Sequence, residues 1–165
     1  MVKLNKKADM ALPFNFIFAL ILIVVFIIVA IYGINFFLDF GKCTRIGTSL
    51  ETLQTKIDDA YQSDLYEKKV ELDLPGVEKI CFANLSADIT GSLEVYGEIE
   101  IYDLLDVNTF LYPSGSACSL SNKKTKHIDL NRTVLNKNPL CFDVEDGVAT
   151  LTLKKEFYDK AVVIK

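Results

Sequence analysis

The sequence predicts an α+β protein: a long N-terminal helix, transmembrane and then amphipathic, followed by a mostly antiparallel β head. Three observations predict it. Residues 10–38 carry no charge and read as one apolar run. Ile46, Leu50, Leu53, Ile57, Tyr61 and Leu65 then recur at helical spacing. From Lys68 onward short apolar runs alternate with period two and are broken by turn residues. The expected segments are 1–40, leader and membrane helix; 41–66, amphipathic helix; and 67–165, a β-rich extracellular head.

The first element is the most strongly determined. A helix through a bilayer needs ~20 apolar residues at ~1.5 Å rise each, and the run from Met10 to Leu38 exceeds that. A cleaved secretory signal has a shorter apolar core followed by small residues, whereas Phe36, Phe37 and Leu38 stand at that place here. Lys3, Lys6 and Lys7 precede the run, so the N-terminus is expected in the cytoplasm and the rest outside. Lys42 and Arg45 argue weakly for the reverse. Lipid attachment at Cys43 is the alternative anchor, but Asp39-Phe40-Gly41-Lys42 lacks the small apolar residues such a site requires.

The second helix places Glu51, Lys56, Asp58, Asp59 and Asp64 away from its apolar stripe, with Gly41 and Gly47 as points of interruption. Val70, Leu72 and Leu74 then alternate up to Pro75-Gly76, and Val77–Ala83 gives a further strand. Ser92–Tyr102 reads as a long strand with Leu93, Val95, Gly97, Ile99 and Ile101 on one face. Val107–Tyr112 follows, then a loop over Ser114–Thr125. Leu140–Glu145 and Val148–Lys154 flank Asp146-Gly147, a hairpin signal because glycine tolerates positive φ. Ala161–Ile164 is the last strand.

Charge excludes one class of partner. Three lysines and Asp9 precede residue 39, leaving 15 basic and 21 acidic residues from Asp39 to Lys165, a net −6. Phosphate binding needs a basic face, so nucleic acid is not an expected partner.

All four cysteines, Cys43, Cys81, Cys118 and Cys141, follow the apolar run. In an oxidising exterior they read as two disulfides with three possible connectivities; in a reducing compartment they would be buried thiols. Metal ligands would be expected two to four residues apart, and no two cysteines are that close. A bridge from Cys118 to Cys141 would close the Ser-rich excursion, with Cys43–Cys81 as the second bond. Cys43 reaching Cys118 or Cys141 is the alternative.

Catalytic candidates are few. His127 is the only histidine, and no activated nucleophile lies near it in sequence. Glu94, Glu98 and Glu100 would share a solvated strand face. Asp143, Glu145 and Asp146 lack the closing bidentate acid of a calcium loop, and no Gly-rich phosphate loop is present. No enzyme, metal or cofactor is expected. Asn84-Leu85-Ser86 and Asn131-Arg132-Thr133 are glycosylation sequons in apparent loops.

Lys7-Ala8-Asp9-Met10, directly ahead of a long apolar helix, resembles the processing site of archaeal prepilins, the class III signal peptides. The resemblance covers roughly residues 3–65. It implies an archaeal type IV pilin-like protein, cut between Ala8 and Asp9 by a prepilin-type peptidase. It also implies a retained helix, half membrane-bound, and a β-rich head with a C-terminal disulfide loop. Two positions depart from the family pattern: Ala8 replaces the usual glycine, and Pro13 stands where many bacterial pilins carry glutamate. A proline is compatible with the first turn of a helix, where its missing N–H is not needed.

Two functions follow from this reading. The first is a pilin-like or pseudopilin-like subunit that assembles with copies of itself or related subunits, for adhesion, motility or secretion. The second is a single-pass, membrane-anchored binding module of the envelope that forms no filament. Removal of Met1–Ala8 discriminates them, because assembly needs processing and anchoring does not.

Overall fold

The computed structural model describes residues 11–165, with side chains from Phe14 onward. Helix α1 runs Ala11–Gln62, and the chain divides within it into two compact units, before and after the Gly41–Lys42 junction. In the first unit every side chain from Phe14 to Leu38 is exposed, apart from partly covered Gly33. The segment is apolar on all sides, and it is the one helix among the described residues long and apolar enough to cross a membrane. A helix meets its own backbone hydrogen-bonding needs, which is what a bilayer demands of a spanning segment.

In the second unit the remainder of α1 buries Ile46, Leu50, Leu53, Ile57 and Ala60. The expected stripe is present, but it closes on Ala60, while Tyr61 is half-exposed and Leu65 lies beyond the helix. Ser63 ends it: its hydroxyl donates to the Asp59 carbonyl and its N–H to the Ala60 carbonyl. Neither Gly41 nor Gly47 interrupts the helix. At Gly47 a Cβ would stand 3.4 Å from Leu120, so its absence admits the long loop against α1.

The head that follows is a mostly antiparallel β domain. Its strands are β1 (Tyr66–Asp73), β2 (Lys79–Phe82), β3 (Thr109–Tyr112), β4 (Asn122–Lys123), β5 (Leu140–Glu145), β6 (Val148–Lys155) and β7 (Val163–Ile164). They lie in the order β1-β6-β5-β2-β3-β4, with β7 also on β6, and every named pair is antiparallel. The expected β5–β6 hairpin turns at Asp146 and Gly147, whose φ values of 51° and 81° are those a tight primed turn requires.

The main core lies between the sheet and the inner face of α1. Val70 and Leu72 of β1 sit opposite Leu151 and Ala149 of β6, and these pack with Ile46, Leu50, Leu53 and Ile57. β2 alternates differently. Ile80 and Phe82 join that core, while Cys81 and Ala83 enter a second cluster with Phe110, Val95 and Ile99. Both faces of the β2–β3 ladder are therefore covered.

The second cover corrects the expected strand at Ser92–Tyr102. The segment is helix α2 (Leu93–Ile99), continued by a 3-10 turn (Glu100–Tyr102). The Ser92 hydroxyl accepts from the Val95 N–H, and Glu94 lies in the first turn, where a carboxylate opposes the positive helix end. Val95 and Ile99, one turn apart, are buried, whereas Leu93 and Ile101 of the same odd-numbered set are exposed. A strand would have put all of them on one side. The expected loop at 114–125 holds a 3-10 turn (Ser114–Ser116) and short β4, and a single helical turn, α3 (Leu130–Thr133), precedes β5.

Candidate functional site

The processing residues Ala8 and Asp9 lie outside the described residues. All four cysteines are paired, but not as expected from spacing: the bonds are Cys43–Cys118 and Cys81–Cys141. The correction follows from strand order. β2 and β5 are neighbours although 60 residues separate the cysteines, and Cys81 stands directly opposite Cys141 in register. The loop carrying Cys118 packs Leu120 against the core beside α1, which brings Cys118 to Cys43 at a Cα separation of 5.9 Å.

His127 belongs to a clasp between the long loop and α1. Its Nδ1 lies 2.9 Å from an Asp58 carboxylate oxygen that also accepts from Gln54 Nε2 at 2.7 Å. Gln54 Oε1 accepts from the Lys126 N–H, and the imidazole stacks on Tyr61 with centroids 4.1 Å apart. The bond to His127 holds the Asp58 carboxyl below its ordinary range, with smaller help from Gln54. Asp58 and Tyr61 thus fix the position of the imidazole against α1.

The acidic candidates do not converge. Glu94 accepts from the Tyr112 hydroxyl at 2.8 Å, which pushes that phenol up to about 12, and Glu98 accepts from the Ser114 N–H. Glu94 and Glu98 thus follow one another along a helix turn rather than along a strand, and Glu100 stays exposed. Asp143 pairs with Lys79. Among the described residues no three His, Cys, Asp or Glu side chains come together as a metal site.

The two sequons, remote in sequence, meet in space. Asn84 Nδ2 donates to Asn131 Oδ1 at 3.0 Å, while the Thr133 hydroxyl is buried and accepts from the Ile164 N–H. The loop bearing Asn84 is held by Asn138, a residue the sequence reading passed over. Asn138 Nδ2 donates to the carbonyls of Asn84 and Asp88, and its Oδ1 accepts from the Asn84 N–H. Its backbone carbonyl accepts from the N–H groups of Thr90 and Gly91. The Asn138-Pro139 dipeptide, a turn signal, was the available pointer.

Among the described residues, exposed apolar surface includes the segment Phe14–Leu38, Leu93 and Ile101 around α2, the turn at Phe157-Tyr158, and Leu65 and Leu135. Compared with known proteins, the chain matches no family model, no curated protein and no solved structure.

Proposed function

We propose that the chain is a pilin-like subunit of the cell surface, anchored and assembled through its N-terminal helix. A prepilin-type peptidase cuts between Ala8 and Asp9, the N-terminus faces the cytoplasm and the disulfide-bonded head lies outside. The observation that carries the reading is the apolar segment Phe14–Leu38, exposed on every side. Such a surface needs lipid or protein around it. Identical helices can replace lipid in a filament because their contacts are equally apolar. Four cysteines paired without remainder support an oxidising location for the head. The sequons Asn84 and Asn131 would then stand where glycosylation is possible.

The test is a photo-crosslinking amino acid in place of Ile27, in full-length protein expressed in its native host. Assembly predicts covalent dimers and higher ladders between copies. Cross-links to lipid alone would leave a membrane-anchored binding module in place of the subunit.

A further inference from the structure

The two sequon asparagines stand side by side in the folded head, yet only one sequon keeps both of its reactive groups at the surface. Transfer of a saccharide to Asn-X-Ser/Thr needs the asparagine amide as nucleophile and a reachable hydroxyl two residues on. Both sequons lie within the segment closed by the Cys81–Cys141 bond, so the cross-linked head fixes what each presents.

Asn131-Arg132-Thr133 is wound into α3, and every residue of it is engaged. The Asn131 carboxamide oxygen accepts from Asn84. Arg132 donates from its backbone to the Asp129 carboxylate and from its guanidinium to Asp159. The Thr133 N–H donates to the Asp129 carbonyl. Its hydroxyl, in a residue only 6 % exposed, accepts from the Ile164 N–H at 3.1 Å. Offering that hydroxyl to an enzyme means unwinding α3, drawing Thr133 and its buried neighbour Val134 out of the head, and taking that partner from the Ile164 N–H. A buried donor left so costs its full desolvation penalty.

Asn84-Leu85-Ser86 is built the other way. It leaves β2 on a loop whose residues 86–90 are all exposed. Asn138 grips the Asn84 backbone, N–H and carbonyl alike. The Asn84 carboxamide takes no part in that grip: its Oδ1 accepts from the Ser86 N–H at 3.1 Å, and its Nδ2 donates to Asn131 at an exposed position. The hydroxyl of exposed Ser86 has no hydrogen-bond partner among the described residues. The bond to Ser86 folds the carboxamide toward the residue that must be read with it, so one short turn carries both groups.

We propose that the folded head accepts one saccharide, on Asn84, and that Asn131 is its neighbour and not a second acceptor. The donor class is a saccharide activated on a lipid phosphate. In the transfer the bond from Asn84 Nδ2 to the sugar C1 forms while the bond from C1 to the phosphate oxygen breaks. The lipid phosphate leaves with that electron pair, and Nδ2 gives one of its two protons to a base of the transferase. The proton that Nδ2 keeps can still be donated to Asn131 Oδ1, 3.0 Å away. The inference rests on the surface location proposed above and names the residue modified there.

The experiment is glycopeptide mass spectrometry of the full-length protein from its native host. Saccharide on the peptide bearing Asn84 should exceed that on the peptide bearing Asn131 by about tenfold or more, since only the second requires a buried hydrogen bond to break. Asn84→Gln and, separately, Ser86→Ala should remove it. Asn131→Gln removes one exposed contact and should leave it within about twofold. Saccharide on Asn131 alone, on both asparagines equally, or on neither would overturn the proposal. Protease added to intact cells separates the failures: an unmodified head that is digested loses the modification site alone, whereas an unmodified head that is protected loses the surface reading as well.

Discussion

Asn138 shows how much of the head depends on one buried amide. Its side chain answers the Asn84 N–H and the Asn84 and Asp88 carbonyls, so one residue fixes the whole excursion between β2 and α2. Asn138→Ala takes the amide partner from the Asn84 N–H and the Asp88 carbonyl, leaving the Asn84 carbonyl with the Ala87 N–H alone, and empties a buried site at residue 138. The expected loss is about 2–4 kcal/mol of stability in urea denaturation, the range for breaking a buried hydrogen-bond network. A loss below ~0.5 kcal/mol would mean that the loop holds itself. The Asp58–His127 clasp is weaker because both side chains are partly exposed. Asp58 titrates below its ordinary value, so its contribution is present above the unfolded carboxylate pKa and disappears as pH falls through the lowered folded value. Asp58→Asn should therefore cost under about 1 kcal/mol at pH 7, and nothing once pH is well below about 4. A penalty that persists in acid would assign the effect to packing with Tyr61 and Gln54 instead of to charge.

At the scale of elements, the disulfides make the clearest prediction. Peptide mapping without reduction should link Cys43 to Cys118 and Cys81 to Cys141. Finding Cys118 joined to Cys141 would contradict the strand order itself. Loops of 75 and 60 residues correspond to roughly 4 kcal/mol each in the chain-entropy picture, although they overlap and their effects do not add. Cys43→Ser with Cys118→Ser should free the segment around Leu120, seen as faster amide exchange there and not in β6. α2 offers a second prediction: Gly97→Ala meets open space and should raise the stability of the head by about 0.5–1 kcal/mol. A destabilising Gly97→Ala would mean that the helix is not formed there.

What was legible in the sequence followed from periodicity. The α1 stripe, β1 and the β5–β6 hairpin each had a repeat or a turn pair to announce them, and the closing strand a short apolar run. α2 did not, because Leu93, Val95, Gly97, Ile99 and Ile101 satisfy period two as a set while Val95 and Ile99 satisfy the helical step. β-branched residues favoured the strand locally, and the need to cover Cys81, Ala83 and Phe110 decided otherwise. The disulfide pairing was illegible for a related reason. It depends on β2 lying between β5 and β3, which spacing along the chain does not encode. The contact between Asn84 and Asn131 was hidden in the same way.

For the whole molecule the account joins an uncharged anchor to a head of net charge −6, cross-linked twice. Protease added to intact cells should digest the region after Asp39, with Lys3, Lys6 and Lys7 kept inside. Protection that ends only on lysis would reverse the topology. The central claim is that this anchor is a pilin-type one, retained after its leader is cut. The most direct measurement is the intact mass of the protein isolated from its native host. The account predicts the loss of residues Met1–Ala8, with Asp9 as the mature N-terminus. A mature chain beginning at Met1 or Val2 would contradict it.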